Sequence, residues 1–176
     1  MIRPTLSAAA IAILCVACAS AQDDAPATPQ MTIGNGEANS IIMDGLQLVE
    51  AEQVFSQVRV DGDEVTSFRG TTTAITFPEV TIASNGWVVL HPVIDGRPDG
   101  DMVSGFTYVG AGTNEDVSIQ VDHPADPGDR FLVMLHNDVD NDRVFDFVFV
   151  EDGINVEDRA VFEGMRMIAH VFEVPE

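Results

Sequence analysis

Hydrophobic and polar residues alternate with a period of two along much of the chain after residue 70. In the segment 116–122, the apolar residues Val117, Ile119 and Val121 are separated by polar residues. An alternation of this kind places apolar side chains on one face of an extended strand and polar ones on the other. The segment is therefore predicted to be a half-buried β-strand.

Two segments, 87–91 and 131–135, are continuously apolar instead of alternating, and a third apolar run covers 145–150. Short runs of this kind, bounded by turn residues, are typical of strands that are covered on both faces. Trp87 belongs to the first run and is predicted to lie in the core, not on an exposed carbohydrate-binding face. A last strand is predicted over about 165–174.

The first half of the chain is less regular. Residues 40–70 combine helical and strand-like spacing, so we expect a strand, a short irregular or helical piece, and a second strand ending near residue 63. Pro78 interrupts an alternating segment and indicates an edge position or a bulge. Asn85-Gly86 is a sequence typical of a hairpin turn.

Together these segments make seven or more short strands, separated by turn residues and without a convincing long helix. This pattern predicts an all-β fold, an antiparallel β-sandwich of the immunoglobulin-like kind, formed as a single domain by residues 40–176. A small β-barrel is the alternative.

The N-terminal residues 1–21 have the features of a secretory signal peptide. Arg3 provides the positive charge, residues 8–17 are apolar, and Ala19-Ser20-Ala21 forms a small-residue cleavage site. In the alternative, Cys18 is the acylated cysteine of a lipoprotein. Residues 22–39 are predicted to form a flexible polar tether in either case. The protein is thus expected to be exported, to the periplasm, the extracellular space or the outer surface, and possible lipid anchoring stays open.

The chain is strongly acidic, with 29 Asp and Glu residues against 8 basic ones among 176 residues, and a formal net charge of −21. Such a surface repels nucleic acids and anionic lipids, which are therefore excluded as partners. After the leader, no apolar run is long enough for a transmembrane helix. The simplest role of the acidity is solubility in a salty medium, and bound divalent cations are compatible with it. The protein partner stays unknown.

The candidate site with the clearest chemistry is an aspartate-rich turn between two predicted strands. Its side-chain oxygens and one backbone carbonyl match positions 1, 3, 5, 7 and 9 of a calcium-binding loop; these residues are Asp138, Asp140, Asp142, Val144 and Asp146. A true EF-hand is excluded, because Arg143 occupies the glycine position and Phe149 the position of the bidentate glutamate. A shorter β-hairpin loop that binds Ca²⁺ and a solvated acidic turn are the two remaining interpretations.

Histidines offer a second candidate site. His91 and His136 each end an apolar run, and Met134 lies on the same strand face as His136. Imidazole and thioether ligands suit copper, so these residues could bind it together with His123, His170 or Met102. The alternative is that the imidazoles form hydrogen bonds with nearby backbone or carboxylate groups.

Catalytic motifs are absent from the sequence. There is no Gly-x-Ser-x-Gly elbow, no His-Glu-x-x-His motif and no P-loop, and both cysteines lie in the leader. The chain is therefore predicted not to be an enzyme, although a hydrolase of envelope polymers is a third, weaker alternative.

Residues 70–150 resemble a secreted domain of unknown function found in haloarchaeal and some bacterial surface proteins. The resemblance rests on an ordered series of motifs: Gly86-Trp87-Val88-Val89-Leu90-His91, Gly96-Arg97-Pro98, Ala111-Gly112 to Val117, Met134-Leu135-His136 and Phe145-Asp146-Phe147. The chain departs from that family at Arg143, where members with the aspartate loop tend to have glycine. The resemblance implies a compact extracytoplasmic β domain, often anchored to the cell surface, and implies no activity.

The sequence thus predicts an exported, non-enzymatic β-sandwich with a structural or interaction role at the envelope, and the aspartate loop is the candidate site at which Ca²⁺ would stabilise it. The competing hypothesis is an extracytoplasmic copper-binding protein that uses His91, Met134 and His136.

Overall fold

A computed structural model describes residues 30–55, 68–150, 153–156 and 158–175. The predicted leader, Cys18 and residues 22–29 of the predicted tether lie outside these residues, as does the strand end expected near residue 63. The described residues form β-strands and no helix. The strands are β1 (Gln30–Thr32), β2 (Ser40–Ile42), β3 (Gln47–Phe55), β4 (Phe68–Ile82), β5 (Gly86–Ile94), β6 (Arg97–Pro98), β7 (Gly105–Val109), β8 (Gly112–Gln120), β9 (Arg130–Asp138), β10 (Phe147–Val150), β11 (Gly153–Val156), β12 (Asp158–Ala160), β13 (Phe162–Glu163) and β14 (Arg166–Glu173).

The strands form two main sheets. The large sheet has the order β1-β14-β9-β5-β6, with β7 paired to β5, β12 to β9, and β13 to β14. The small sheet has the order β2-β4-β3, with β8 also paired to β4, and β10 and β11 form a separate hairpin. The β1–β14 pair is parallel, and the other strand pairs among the described residues are antiparallel. Since β1 pairs with β14, residues 30–32 of the predicted tether belong to the folded sheet.

The core lies between the two sheets, because the alternating apolar residues of both point into the space that separates them. Fully buried side chains of the small sheet, such as Ile75 and Phe77, meet those of the large sheet, such as Leu90 and Leu135. The rings of Phe77 on β4 and Phe172 on β14 pack edge to face, with centroids 5.9 Å apart. The predicted β-sandwich is confirmed.

Pro78 does not mark an edge strand. β4 is central in the small sheet, with β2 and β3 on one side and β8 on the other. The pair of Pro78 with Asp116 is missing from the β4–β8 ladder, and Asp116 has a positive φ of 51°. The backbone is therefore irregular at this position, which places both Phe77 and Val80 in the core although they are three residues apart.

Two predicted hairpins are wrong. Asn85-Gly86 connects β4 of the small sheet to β5 of the large sheet, so the flanking strands do not pair with each other. Similarly, the aspartate loop follows β9, but β10 pairs with β11 and the end of β9 pairs with β12. The hairpin predictions fail because turn residues mark where a strand ends, while tertiary packing selects the strand that it joins.

Candidate functional site

The aspartate loop runs from the last residue of β9, Asp138, to the residue before β10, Asp146. Asp138 is buried, with 3% of its surface exposed. Its N–H donates to the carbonyl of Asn85 (2.9 Å), and its Oδ2 accepts from the N–H of Arg143 (3.3 Å). Its Oδ1 is also buried and has no hydrogen-bond partner among the described residues. This oxygen has therefore lost its hydration without compensation from the described residues.

The loop coils so that its carboxylates converge. Asp140 Oδ1 accepts from the N–H of Asp142 (3.3 Å), and Asp142 Oδ1 accepts from the N–H of Val144 (2.7 Å). One carboxylate oxygen from each of Asp138, Asp140 and Asp142 lies within 4.8 Å of the others. Arg143 has a φ of 62°, which is the left-handed conformation that glycine adopts at this position of an EF-type loop.

Asp146 connects the loop to β12. Its N–H donates to Oδ2 of Asp158 (2.8 Å), and its own Oδ1 is buried without a hydrogen-bond partner among the described residues. The structure therefore brings the carboxylate oxygens of Asp138, Asp140 and Asp142 together, whereas Asp146 lies outside this cluster, next to an acid that the sequence did not single out.

That additional acid, Asp158, is the first residue of β12 and lies directly opposite Asp138 in the β9–β12 ladder. It is fully buried, and its Oδ1 has no hydrogen-bond partner in the described part of the chain. Burial raises the pKa of the Asp158 carboxyl to about 6, with smaller contributions from the charges of Asp146 and Asp138. The hydrogen bond from the Asp146 N–H opposes this increase in pKa. The indole of Trp87, which faces the carboxylate, also opposes it, although the indole N–H forms no hydrogen bond among the described residues.

The two predicted histidines also lie together. His91 on β5 and His136 on β9 are fully buried on the face of the large sheet that points away from the sandwich core, with ring centroids 6.0 Å apart. His91 Nδ1 bonds to the carbonyl of Met102 (2.7 Å) and His136 Nδ1 to that of Asp158 (3.1 Å). Because a carbonyl only accepts, both protons sit on Nδ1.

Burial keeps these rings neutral. Desolvation lowers the pKa of His136 to about 4, and the charge of a protonated His91 adds to this shift. Desolvation likewise lowers the pKa of His91, against the opposing effects of its bond to Met102 and the charges of Asp99 and Asp101. Neutral imidazole is the form that binds metals.

The remaining predicted copper ligands fall into two groups, one beside the histidine pair and one at the surface. Met134 is buried on β9, on the same face as His136. In contrast, Met102 and His170 are exposed, and His123 lies at the surface beside Asp122, with an Nδ1–Oδ1 distance of 2.6 Å. The structure thus groups His91, Met134 and His136 on one face of the large sheet and leaves the other three outside.

Aromatic side chains cover this face and join it to the aspartate loop. The ring of Phe145 contacts those of Trp87 (5.6 Å), Phe106 (4.9 Å) and His136 (5.7 Å). Arg143 places its guanidinium 5.1 Å from the centre of the Tyr108 ring. Trp87 is buried, as expected, and the loop residues next to the aspartates pack over the sheet that carries the histidines.

Chemically, the aspartate loop offers hard oxygen atoms suited to Ca²⁺, whereas the histidine pair offers nitrogen atoms suited to transition metals. In the described part of the chain, no helix is both long and apolar enough to span a membrane.

Comparisons with known proteins support a surface domain. The chain is 26% identical to cell surface glycoprotein 1 of Haloarcula hispanica over 122 residues, which is 65% of this chain and 12% of that protein. It is 30% identical to cell surface glycoprotein 2 of the same organism over 84 residues, 45% of this chain and 9% of that protein. The chain therefore spans only a small part of each relative. No solved structure gives a significant match.

Residues 55–168, more than half of the chain, match a family described as a domain of unknown function, DUF7282. The matched segment includes the histidine pair, the aspartate loop and Asp158. Together with the haloarchaeal relatives, this match confirms the resemblance seen in the sequence. The chain belongs to the DUF7282 family.

Proposed function

We propose that the chain is an exported, non-enzymatic β-sandwich of the cell envelope or surface, with a structural or interaction role, and that Ca²⁺ stabilises it at the aspartate loop. The names of its relatives support the surface location. The signal peptide predicted for residues 1–21 accounts for export, and acylation of Cys18 is the lipid-anchored form of the same proposal.

The observation that carries the calcium site is the buried carboxylate of Asp138. An uncompensated carboxylate oxygen in the protein interior costs free energy, and the nearby carboxylates of Asp140 and Asp142 add repulsion. A calcium ion among these oxygens would remove both costs, because it replaces the lost hydration with ionic coordination. If the loop were only a solvated acidic turn, the burial of the Asp138 carboxylate would have no explanation.

Thermal melting of the purified protein tests the proposal, with chelator or with Ca²⁺ at constant ionic strength. Extracellular calcium modules bind with Kd values of about 10⁻⁴–10⁻³ M. A tenfold excess over Kd should then stabilise the fold by about 1.4 kcal/mol, which raises Tm by several degrees. We expect Asp140→Asn to abolish the increase.

Asp44→Asn is the matched control, since it removes one negative charge from an exposed turn outside the loop. This variant should keep the full response to Ca²⁺. If Ca²⁺ does not change the Tm of wild type, the loop is only a solvated acidic turn. Calcium would then be removed from the proposal.

Copper binding is the second candidate function, favoured by the 6.0 Å separation of the His91 and His136 rings. Both Nδ1 atoms bond to backbone carbonyls, an arrangement that orients metal-binding histidines in known sites. Met134 on the same face would add a thioether. In the same melting series, Cu²⁺ should raise Tm in wild type and in His123→Ala but not in His136→Ala. A Cu²⁺ response that survives His136→Ala would contradict this candidate.

A further inference from the structure

Two buried aspartates face each other across the β9–β12 pair. Asp158 is the register partner of Asp138, and both side chains are buried. Like charges directly opposite on neighbouring strands are destabilising even at a solvated surface, and burial strengthens their repulsion. The pairing therefore requires a compensating group.

The described residues supply only part of that compensation, because one oxygen of Asp138 and one of Asp158 accept hydrogen bonds from backbone N–H groups. The Oδ1 atoms of Asp138, Asp146 and Asp158 are all buried without a hydrogen-bond partner among them, and none of these aspartates forms a salt bridge there. Arg143 and Arg159 are the cations nearest in sequence. The guanidinium of Arg143 lies over the ring of Tyr108, and Arg159, which follows Asp158 directly, is exposed on the other face of β12. Three carboxylate oxygens thus remain uncompensated on two adjoining strands and the loop between them.

We propose that Asp158 is a ligand of the same cation as Asp138, Asp140 and Asp142. This inference rests on the proposed calcium site and extends it from one loop to two strands. An EF-type loop takes its bidentate acid from position 12, which is Phe149 in this chain. Asp158 supplies the missing acid from β12 instead, because the β9–β12 ladder places it beside Asp138.

The chemistry of the ligands identifies the class of ion. Every candidate ligand is an oxygen, and most are carboxylates, which favours Ca²⁺ over transition metals. Ca²⁺ also accepts six to eight ligands in irregular geometry, whereas Mg²⁺ demands a near-ideal octahedron. An ion held by Asp138 and Asp158 joins the end of β9 to the start of β12, so cation binding and formation of this strand pair are coupled.

Asp158→Asn tests the inference, because asparagine keeps an acceptor for the Asp146 N–H and removes the charge. We expect the Ca²⁺ affinity measured by calorimetry to fall roughly 10-fold to 100-fold. In chelator, the variant should melt at or above the wild-type temperature, since one of the two like charges that face each other has been removed. In saturating Ca²⁺ it should melt below wild type. A residue with only a packing role would lower Tm in both conditions.

The outcomes separate this inference from the calcium site itself. If wild type does not bind Ca²⁺, both fail. If Asp140→Asn weakens Ca²⁺ binding and Asp158→Asn leaves it unchanged, the site is confined to the loop and this inference alone is overturned. Asp44→Asn should bind Ca²⁺ as wild type does.

Luminescence of Tb³⁺, a substitute for Ca²⁺, provides a second test that does not change Asp158. Trp87 is the only tryptophan in the chain, and its indole faces the Asp158 carboxylate. An ion at this carboxylate should emit when the indole is excited, and Ca²⁺ should suppress the emission by competition. Trp87→Phe should lose the emission and keep calorimetric Tb³⁺ binding. Calorimetric Tb³⁺ binding to wild type without emission would place the ion away from Asp158 and overturn the inference.

Discussion

Gly86 lies on β5 where the strand passes close to the backbone of β9. A Cβ atom at this position would be 2.0 Å from the carbonyl oxygen of His136 and 2.9 Å from Cδ1 of Ile82. The oxygen belongs to the backbone and cannot move without breaking the β5–β9 ladder. We therefore expect Gly86→Ala to reduce the free energy of unfolding by about 3 kcal/mol, measured by urea denaturation.

Gly100→Ala is the control for this substitution, because a Cβ atom there meets nothing within 4 Å. Its stability should stay within about 0.5 kcal/mol of wild type. Equal stability of wild type and Gly86→Ala would show that the two strands can separate at no cost, contrary to the packing described.

At the scale of residues, local spacing was enough to predict part of the site. The alternate aspartates of the loop identified the oxygen cluster, and the left-handed φ of Arg143 matches the turn that this spacing requires. Asp158 was not predicted, because it lies in another strand and only the tertiary register places it opposite Asp138. Similarly, the sequence suggested five partners for His136 but could not decide between them, since exposure distinguishes Met134 from Met102.

At the scale of elements, β4 holds the two sheets together through Phe77. Its ring is fully buried and meets Phe172 of the large sheet. Truncation of the Phe77 side chain removes contacts with both sheets and leaves a cavity that the sheets cannot close. Phe77→Ala should therefore lower the free energy of unfolding by about 3–5 kcal/mol in urea denaturation.

Phe162→Ala provides the comparison on an exposed phenylalanine, 46% of whose surface is accessible. The expected loss is below about 1 kcal/mol. Similar losses for the two variants would contradict the assignment of Phe77 to the shared core.

Elements were predicted better than their partners. Alternation and apolar runs located β5, β8, β9 and β14, because these patterns record which faces of a strand are buried. They did not predict that β4 and β5 belong to different sheets or that β12 completes the end of β9. Strand pairing depends on contacts between residues distant in sequence, and no local pattern records them.

At the scale of the whole molecule, the net charge of −21 opposes compaction through repulsion among like charges. Salt screens this repulsion over a distance that falls from about 10 Å at 0.1 M to about 3 Å at 1 M. We expect Tm, measured in the presence of chelator, to rise by several degrees as NaCl increases over this range.

Potassium chloride at the same ionic strength should produce the same increase, because screening does not depend on the identity of a monovalent cation. A Tm that stays constant or falls with NaCl would show that the acidic surface does not limit stability. Adding Ca²⁺ at constant ionic strength should raise Tm further. This additional increase measures binding at the site, separately from screening.

The parallel pairing of β1 with β14 gives the domain a direction of mechanical strength. Opposite forces applied before Gln30 and after Glu173 would slide these strands past each other along their common axis. The hydrogen bonds between them would then be loaded together in shear, instead of opening one at a time like a zipper. A stretched chain would thus meet its resistance at the edge strand first, and the sandwich core behind it would be shielded until that strand gives way.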